Sequence, residues 1–288
     1  MSVILVTGSS TGIGQETALH MARKGHDVYA AVRSPETATE LKDLIAAEDL
    51  PVSVNKLDLV DPDSIVTAVA EIMARNGRID ALVNNAGIGG GRAVEETPMH
   101  EVREIFETNY FGNVNVLRAV TPIMRQQKSG RIVTVGSLAG RVVMGCHAHY
   151  SASKWAMEGL SEALAQEMAE FNVKVAIIEP GCVLTPIWGK GSLPTEPSPY
   201  LKSLQRLGRF FEFGLRRPAM PTDVASAIAH AIESDKPHFR YPVGPDAVES
   251  VAARAKVSDD EWIEANCLQG EAFSDRWLEL VGVDYYRD

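Results

Sequence analysis

In the stretch HAHYSASKWAMEG, Tyr150 stands four residues before Lys154. On a helix that spacing is about one turn, so a phenol and an ammonium share one face with their ends free to converge. Proton transfer is the chemistry such a pair can do. A free tyrosine has a pKa of about 10 and is a poor base near neutral pH. A lysine charge about 4 Å away, at an effective dielectric near 20, interacts with the phenolate by roughly 4 kcal/mol, enough to lower that pKa by about three units. The phenol then becomes a working general acid and base, which hydride transfer between a carbonyl and an alcohol requires at the oxygen. Ser137, closing the apolar run RIVTVGS, can donate a hydrogen bond to the same oxygen and hold it for the phenol.

A second group sits near the start of the chain. TGSSTGIG follows VILVT directly and places Gly8, Gly12 and Gly14, with Ser10, Thr11 and Ile13 between them, at the turn into a helical pattern. Glycine permits the tight turn and lets a pyrophosphate approach the backbone, while the helix start offers unpaired N–H groups and the positive end of its dipole. Strand before and helix after is the context a dinucleotide-binding turn needs.

The elements that position these residues are legible from periodicity. Short β-branched runs recur at 3–7, 27–32, 52–57, 80–84, 131–136 and 173–179. Helical patterns lie between most of them, at 12–25, 62–77, from Pro98 to Gln127 and from Tyr150 to Phe171. Repeated strand–helix–strand units predict an α/β fold of Rossmann type, a doubly wound parallel sheet of about seven strands flanked by helices, formed by a single domain over 1–288. The helix TDVASAIAHAIESD and the strand FRYPVG complete the sheet. After Pro180 the texture turns proline-rich and aromatic, and a long loop acting as a substrate lid is expected over 186–221. Leu184, Ile187, Phe210, Phe211 and Phe213 make an apolar wall there. The tail from Ser258 to Asp288 reads as an amphipathic helical extension.

Composition narrows the function. The 288 residues are 45% hydrophobic and 23% charged, ample for a large core. A net charge of -10 with no basic patch argues against nucleic acid or anionic lipid as a partner. Three widely spaced cysteines, Cys146, Cys182 and Cys267, fit neither a disulfide framework nor a metal site, so a reducing cytoplasmic location is expected and no metal. No apolar run approaches a membrane span, and MSVILVTG lacks the pattern of a secretory signal.

The spacing Gly-x-x-x-Gly-x-Gly, NNAG at 84–87, Ser137 and Tyr150-x-x-x-Lys154 together resemble the short-chain dehydrogenase/reductase family, from Thr7 to about Thr185. The likeness is to its short, single-domain branch and, within it, to the hydroxysteroid and retinol dehydrogenases. Enoyl reductases resemble the chain less, because their lysine stands farther from the tyrosine. The resemblance implies a catalytic set of Asn109, Ser137, Tyr150 and Lys154, in which Lys154 also holds the nicotinamide ribose and Asn109 supports a water-linked proton path. It implies cofactor contacts from the glycine turn, from Asp58 and Leu59 at the adenine, from Asn85, Ala86 and Gly87, and from Pro180, Gly181, Val183 and Thr185 at the carboxamide. Val32 occupies the position where an acidic residue would select NAD, and Arg33 follows it, which favours NADP(H). Only one such cation is present, since Thr11 fills the other basic position used in the family. Leu138, Val143, His147, Cys182 and Trp188 are expected to face a hydrophobic ketone or aldehyde, or its alcohol. The apolar face of the Tyr150 helix, with Met157, Leu160 and Leu164, resembles the face through which family members pair, so a homodimer or homotetramer is expected. A non-catalytic cofactor-binding redox sensor is the alternative reading.

Overall fold

Seven strands lie side by side, all parallel, in the computed structural model, which describes residues 1–189 and 198–282. They are β1 (Val3–Thr7), β2 (Asp27–Val32), β3 (Val52–Lys56), β4 (Ala81–Asn84), β5 (Gly130–Val135), β6 (Val173–Pro180) and β7 (Arg240–Val243), in the order β3-β2-β1-β4-β5-β6-β7. Strands covered on both faces need apolar side chains at every position rather than alternate ones. All five residues of β1 are accordingly buried. Ile4 and Val6 point into one core layer with residues of α1 (Gly12–Arg23), α2 (Thr39–Glu48) and α8 (Pro221–Glu233). Val3 and Leu5 point into the opposite layer with residues of α3 (Pro62–Asn76), α5 (Asn113–Gln127) and α6 (Ala148–Ala169). Strand order reverses between β1 and β4, and the crevice at their carboxyl ends is where doubly wound sheets bind ligands.

Three segments depart from the periodicity reading. The stretch from Pro98 to Gln127 is α4 (Met99–Phe106), a π-helical turn (Glu107–Gly112) and α5. Gly112 lets this turn seat against the loop after β3, since a Cβ there would lie 2.6 Å from the Cβ of Leu59. The region expected to be a long loop contains a 16-residue helix, α7 (Leu201–Arg216), whose Leu207, Phe210 and Gly214 are buried at helical spacing. Its helical period was masked by the surrounding prolines. α9 (Pro245–Arg254) was not anticipated, and the tail forms two helices, α10 (Asp259–Cys267), started by a Ser258–Glu261 capping box, and α11 (Gly270–Val281). Trp262, Phe273 and Trp277 from these helices pack with Leu207 and Phe210 of α7 in a third core. Residues 190–197 and 283–288, with the side chain of Ile187, lie outside the described residues.

The first crossover is tight enough to test. A Cβ on Gly14 would lie 2.3 Å from the Gly8 carbonyl oxygen and 2.5 Å from Nδ2 of Asn85. Gly14→Ala is therefore expected to push α1 off the sheet and lower stability by about 1–3 kcal/mol. Thermal unfolding checks this, and an unchanged midpoint would mean that the turn has room to spare.

Candidate active site

The glycine turn is held open by its neighbours rather than by itself. Gly8 and Gly12 have φ of 69° and 63°, in the left-handed region that suits glycine. Thr11, the N-cap of α1, makes no side-chain bond to the first-turn amides. Those donors are left for an anion placed at the helix start. Across the crevice, Asn85 Nδ2 donates to the carbonyls of Thr7 (2.8 Å) and Gly8 (3.3 Å). The Thr7 hydroxyl accepts from the N–H groups of Asn85 (2.9 Å) and Ala86 (3.1 Å), which binds the ends of β1 and β4 together. On the far side, the Thr185 methyl would stand 3.2 Å from a Cβ on Gly12, so the turn after β6 meets the glycine turn.

Asp58, just past β3, accepts from Val60 N–H through Oδ1 (3.2 Å) and donates its own N–H to Ser64 Oγ (2.9 Å), with Leu59 buried beside it. Arg33, just past β2, is exposed and forms no ion pair among the described residues. Lys56, exposed at the end of β3 in register with Val32, adds a second cation at this edge that the motif reading overlooked. Beyond β6, Gly181 N–H donates to Val243 O (2.9 Å), Val183 bridges to Ala219, and the Trp188 indole donates to Val183 O (2.7 Å). A dinucleotide fits this crevice: an uncapped helix start, a glycine turn and the small residues Ala86 and Gly87 follow one another along the strand ends.

At the carboxyl end of β5, the Ser137 oxygen accepts from Ala139 N–H (3.1 Å), and its hydroxyl lies close enough to the Tyr150 phenol to favour the phenolate. Tyr150 lies in the first turn of α6 and Lys154 one turn on. Lys154 is only 6% exposed, and its Nζ donates to Val135 O (3.1 Å) and lies 5.8 Å from the Tyr150 ring centroid. The phenol is not tuned downward in the chain alone. Burial raises Tyr150 above its ordinary value, and the nearby Ser137 hydroxyl offsets only part of this. The lysine proves to lie across the ring and bound to a carbonyl, so desolvation wins over its charge. Burial also lowers Lys154 to about 8, against the opposing charge of Glu158.

Asn109 lies in the π-turn, where Oδ1 accepts from Ile88 N–H (2.8 Å) and Nδ2 donates to Ile88 O (2.9 Å) and Ser153 Oγ (3.1 Å). A Cβ on Gly87 would stand 3.1 Å from Asn109 Oδ1 and 3.7 Å from Lys154 Nζ, so both groups border the same small space. Asn113, unremarked in the motif reading, donates from Nδ2 to the carbonyls of Ala86, Thr108 and Asn109 (3.2, 3.1 and 3.0 Å) and anchors this turn to the strand-four segment. Its signal was available as the polar residue ending ETNYFGN.

The expected substrate residues divide. The His147 ring stacks on Tyr150 (4.7 Å between centroids, 20° between planes), Phe211 of α7 meets His147 edge-on at 5.5 Å, and Trp188 meets Phe211 at 5.1 Å. These three form an aromatic wall at the phenol. Leu138 is instead buried in the third core, and Val143 faces solvent. Cys182 is buried, with its N–H on Asp246 Oδ2 (2.7 Å) and a Cβ on Gly214 falling 2.4 Å from its sulfur; it packs under α7, and burial raises its thiol. Of the expected apolar lid residues, Phe210 turns into the third core and Leu184 is exposed. Met157 and Leu164, expected on a pairing face, are buried in this chain's own core with Leu160 packed against it; α6 presents Trp155, 53% exposed, outward instead. The three cysteines are free, no group of metal-ligating side chains occurs among the described residues, and none of their helices is long and apolar enough to cross a membrane.

A parallel sheet with a dinucleotide-type turn at its first crossover, and a hydroxyl, phenol and ammonium gathered at its carboxyl edge, belongs to the NAD(P)-dependent dehydrogenases and reductases. Within that class the family model described as "short chain dehydrogenase" matches residues 2–193, and the chain is a member of the short-chain dehydrogenase/reductase family. It is 34% identical to the 3-ketodihydrosphingosine reductase of Bacteroides thetaiotaomicron, over 93% of this chain and 95% of that protein. It is 33% identical to retinol dehydrogenase 8 of Bos taurus, over 88% and 84%. A crystal structure of a short-chain dehydrogenase from Streptomyces avermitilis superposes with a TM-score of 0.82 at 36% identity, covering 91% of this chain and 95% of that one.

The stacked imidazole carries a pH signature. Burial pushes His147 from 6.5 down to about 4. The unfolded chain thus takes up this proton as pH falls below 6.5 while the folded chain holds it off until about 4, so native stability declines through that window. His147→Phe is expected to flatten the fall of the unfolding midpoint over that range. Parallel curves for the two proteins would show that the ring protonates freely in the fold.

Proposed function

We propose that the protein is an NADP-dependent oxidoreductase that interconverts a hydrophobic ketone or aldehyde and its alcohol, with Tyr150 as the general acid and base. The observation that carries this reading is the gathering of the Ser137 hydroxyl, the Tyr150 phenol and the Lys154 ammonium at the carboxyl edge of the sheet, the phenol and ammonium on one helix face. A nicotinamide dinucleotide, when bound, supplies or accepts the hydride at the substrate carbon. Ser137 donates to the substrate oxygen and orients it. In reduction Tyr150 gives its proton to that oxygen as negative charge develops there, and in oxidation the phenolate takes the hydroxyl proton. In the chain alone, burial keeps the phenol in its protonated form. Lys154 stabilises the phenolate, and Asn109 fixes the backbone at Ile88 beside it. The uncapped first turn of α1 holds the pyrophosphate, Asp58 and Leu59 the adenine, and the segment 180–185 the carboxamide.

The exposed, unpaired Arg33 supports NADP, because a guanidinium matches a 2′-phosphate in charge and in its forked donors. The aromatic wall of His147, Phe211 and Trp188 supports an apolar substrate, and α7 acts as its lid. The relatives named for a long-chain ketone and for retinol handle substrates of that character. The outward Trp155 and the half-exposed Phe111 support pairing with a second copy, and three free cysteines suit a reducing cytoplasm.

Purified protein mixed with NADPH and a panel of steroid, retinoid, aryl and long-chain carbonyls tests the reading through loss of nicotinamide absorbance. Binding of NADPH without consumption across the panel would favour a sensor. Tyr150→Phe is expected to lower kcat at least about a hundredfold with cofactor affinity nearly unchanged, a loss within the range of general acid catalysis; retained turnover would remove Tyr150 from its role. Arg33→Asp is expected to reverse the ratio of kcat/KM for NADPH over NADH, and an unaltered ratio would count against Arg33 as the selector.

A further inference from the structure

Behind Lys154, on the side away from the phenol, lies a group of charges that the proposed reaction does not use. Glu158 follows Lys154 by one helical turn and therefore shares its face. Its side chain is 8% exposed, yet it is an acid enclosed between α6, β6, β7 and the turn after Ser137. A Cβ on Gly140 would stand 3.1 Å from Glu158 Cγ and 3.2 Å from Lys154 O, so the absence of a side chain there lets the carboxylate enter. From β7, Arg240 Nε donates to Glu158 Oε2 (3.0 Å) and lies 3.4 Å from Glu179 Oε1. From the turn after Ser137, Arg141 donates to Glu179 Oε1 (2.9 Å). Glu162, on the same helix, takes the other arm of Arg240 (2.7 Å). Glu158 Oε1 and Glu179 Oε2 are buried without a hydrogen-bond partner among the described residues, so each carboxylate has one oxygen that the two guanidinium groups leave unbonded.

Lys154 has the complementary deficit. Among the described residues its buried ammonium has one acceptor, the neutral carbonyl of Val135, and an ammonium out of water needs an opposite charge to keep its proton. We propose that Glu158 is a positioning residue for the reaction, the counter-charge that keeps Lys154 protonated and so keeps a cation beside Tyr150. The electrostatics agree in direction. Glu158 raises the affinity of Lys154 for its proton, while burial and the nearby Glu179 hold Glu158 itself above the usual carboxylate range. Arg240 and Arg141 work against that elevation and keep Glu158 able to ionise. Arg141 and Glu179 thereby tie the backbone just after Ser137 to the charge group that includes Glu158.

This inference deepens the proposed activity and, for its kinetic consequence, rests on it. The decisive measurement does not require a substrate. In the full-length chain labelled at lysine Cε, the Lys154 carbon resonance, assigned by its loss in Lys154→Arg, is followed with pH. The wild type should titrate near 8 and show a second, smaller inflection at lower pH where Glu158 ionises. Glu158→Gln, which keeps the volume and can still accept from Arg240, should lose the lower inflection and shift the lysine midpoint down by about half a unit or more. Glu158→Asp, which keeps the charge, should stay close to wild type. An unchanged midpoint in Glu158→Gln, or an equal shift in Glu158→Asp, would overturn the assignment. Should Glu158→Gln fail to fold, a single-step titration in the wild type would do so instead. In alcohol oxidation the alkaline limb of kcat/KM should move down with the lysine midpoint while KM for the cofactor stays put. A wild type without turnover defeats the proposed activity alone, since the resonance still decides the role of Glu158.

Discussion

A lysine ammonium held almost entirely out of water sets the terms for the rest of this molecule. Removing such a charge from solvent is costly, and the surroundings must supply acceptors and opposite charge without filling the space that substrate and cofactor need. The sheet meets this by presenting the Val135 carbonyl from the end of β5. The helix meets it by placing an acid one turn further along, and Gly87 and Gly140 meet it by leaving room. Each of these depends on α6 starting beside the carboxyl end of β5 and running back along the sheet at a fixed height. That height is set by apolar residues such as Leu164 and Met168, which pack the helix against the sheet.

The same logic explains why small polar residues, rather than the reactive ones, occupy the interior of the crevice. Thr7, Asn85 and Asn113 touch neither phenol nor ammonium, yet their amides and hydroxyl satisfy the strand-end carbonyls and N–H groups that a ligand-binding edge leaves unpaired. They convert two loose strand ends into a stiff rim. The aromatic wall has a comparable division of labour. Adjacent residues of α7 divide the work, with Phe211 against His147 and Phe210 against Trp277 and the two rings meeting edge-on, so the wall beside the phenol is backed by the C-terminal helices.

Much of this was legible from residue patterns, for identifiable reasons. Strands buried on both faces read as unbroken apolar runs, and VILVT and VKVAIIE were recognisable on that account alone. The glycine turn and the Tyr150–Lys154 spacing were legible because their requirements are local: a positive φ, a helix start, one turn of helix. Helix α7 was obscured by prolines on both sides, and its pattern acquires meaning only against Trp262 and Trp277, distant in sequence. Leu138 and Cys182 stand next to reactive positions along the chain but turn into the core, because adjacency in sequence does not determine which way a side chain faces at a strand end. The direction of the phenol's shift escaped for a similar reason. A shared helix face brings two groups near, but which of charge and desolvation prevails depends on where the lysine's proton is directed and how much water remains.

The π-turn from Glu107 to Gly112 has a geometric consequence for how this chain can vary. Each residue added to or removed from an α-helix rotates everything beyond it by about 100°. The wide turn accommodates an extra residue within the continuous stretch from Met99 to Gln127, so α4 and α5 present their faces out of phase with one uninterrupted helix. Ironing this segment into a regular helix would swing the Asn109 carboxamide away from Ile88 or carry α5 off the sheet. The irregularity acts as a phase adjuster, and insertions or deletions in this stretch are tolerable only where they preserve its count.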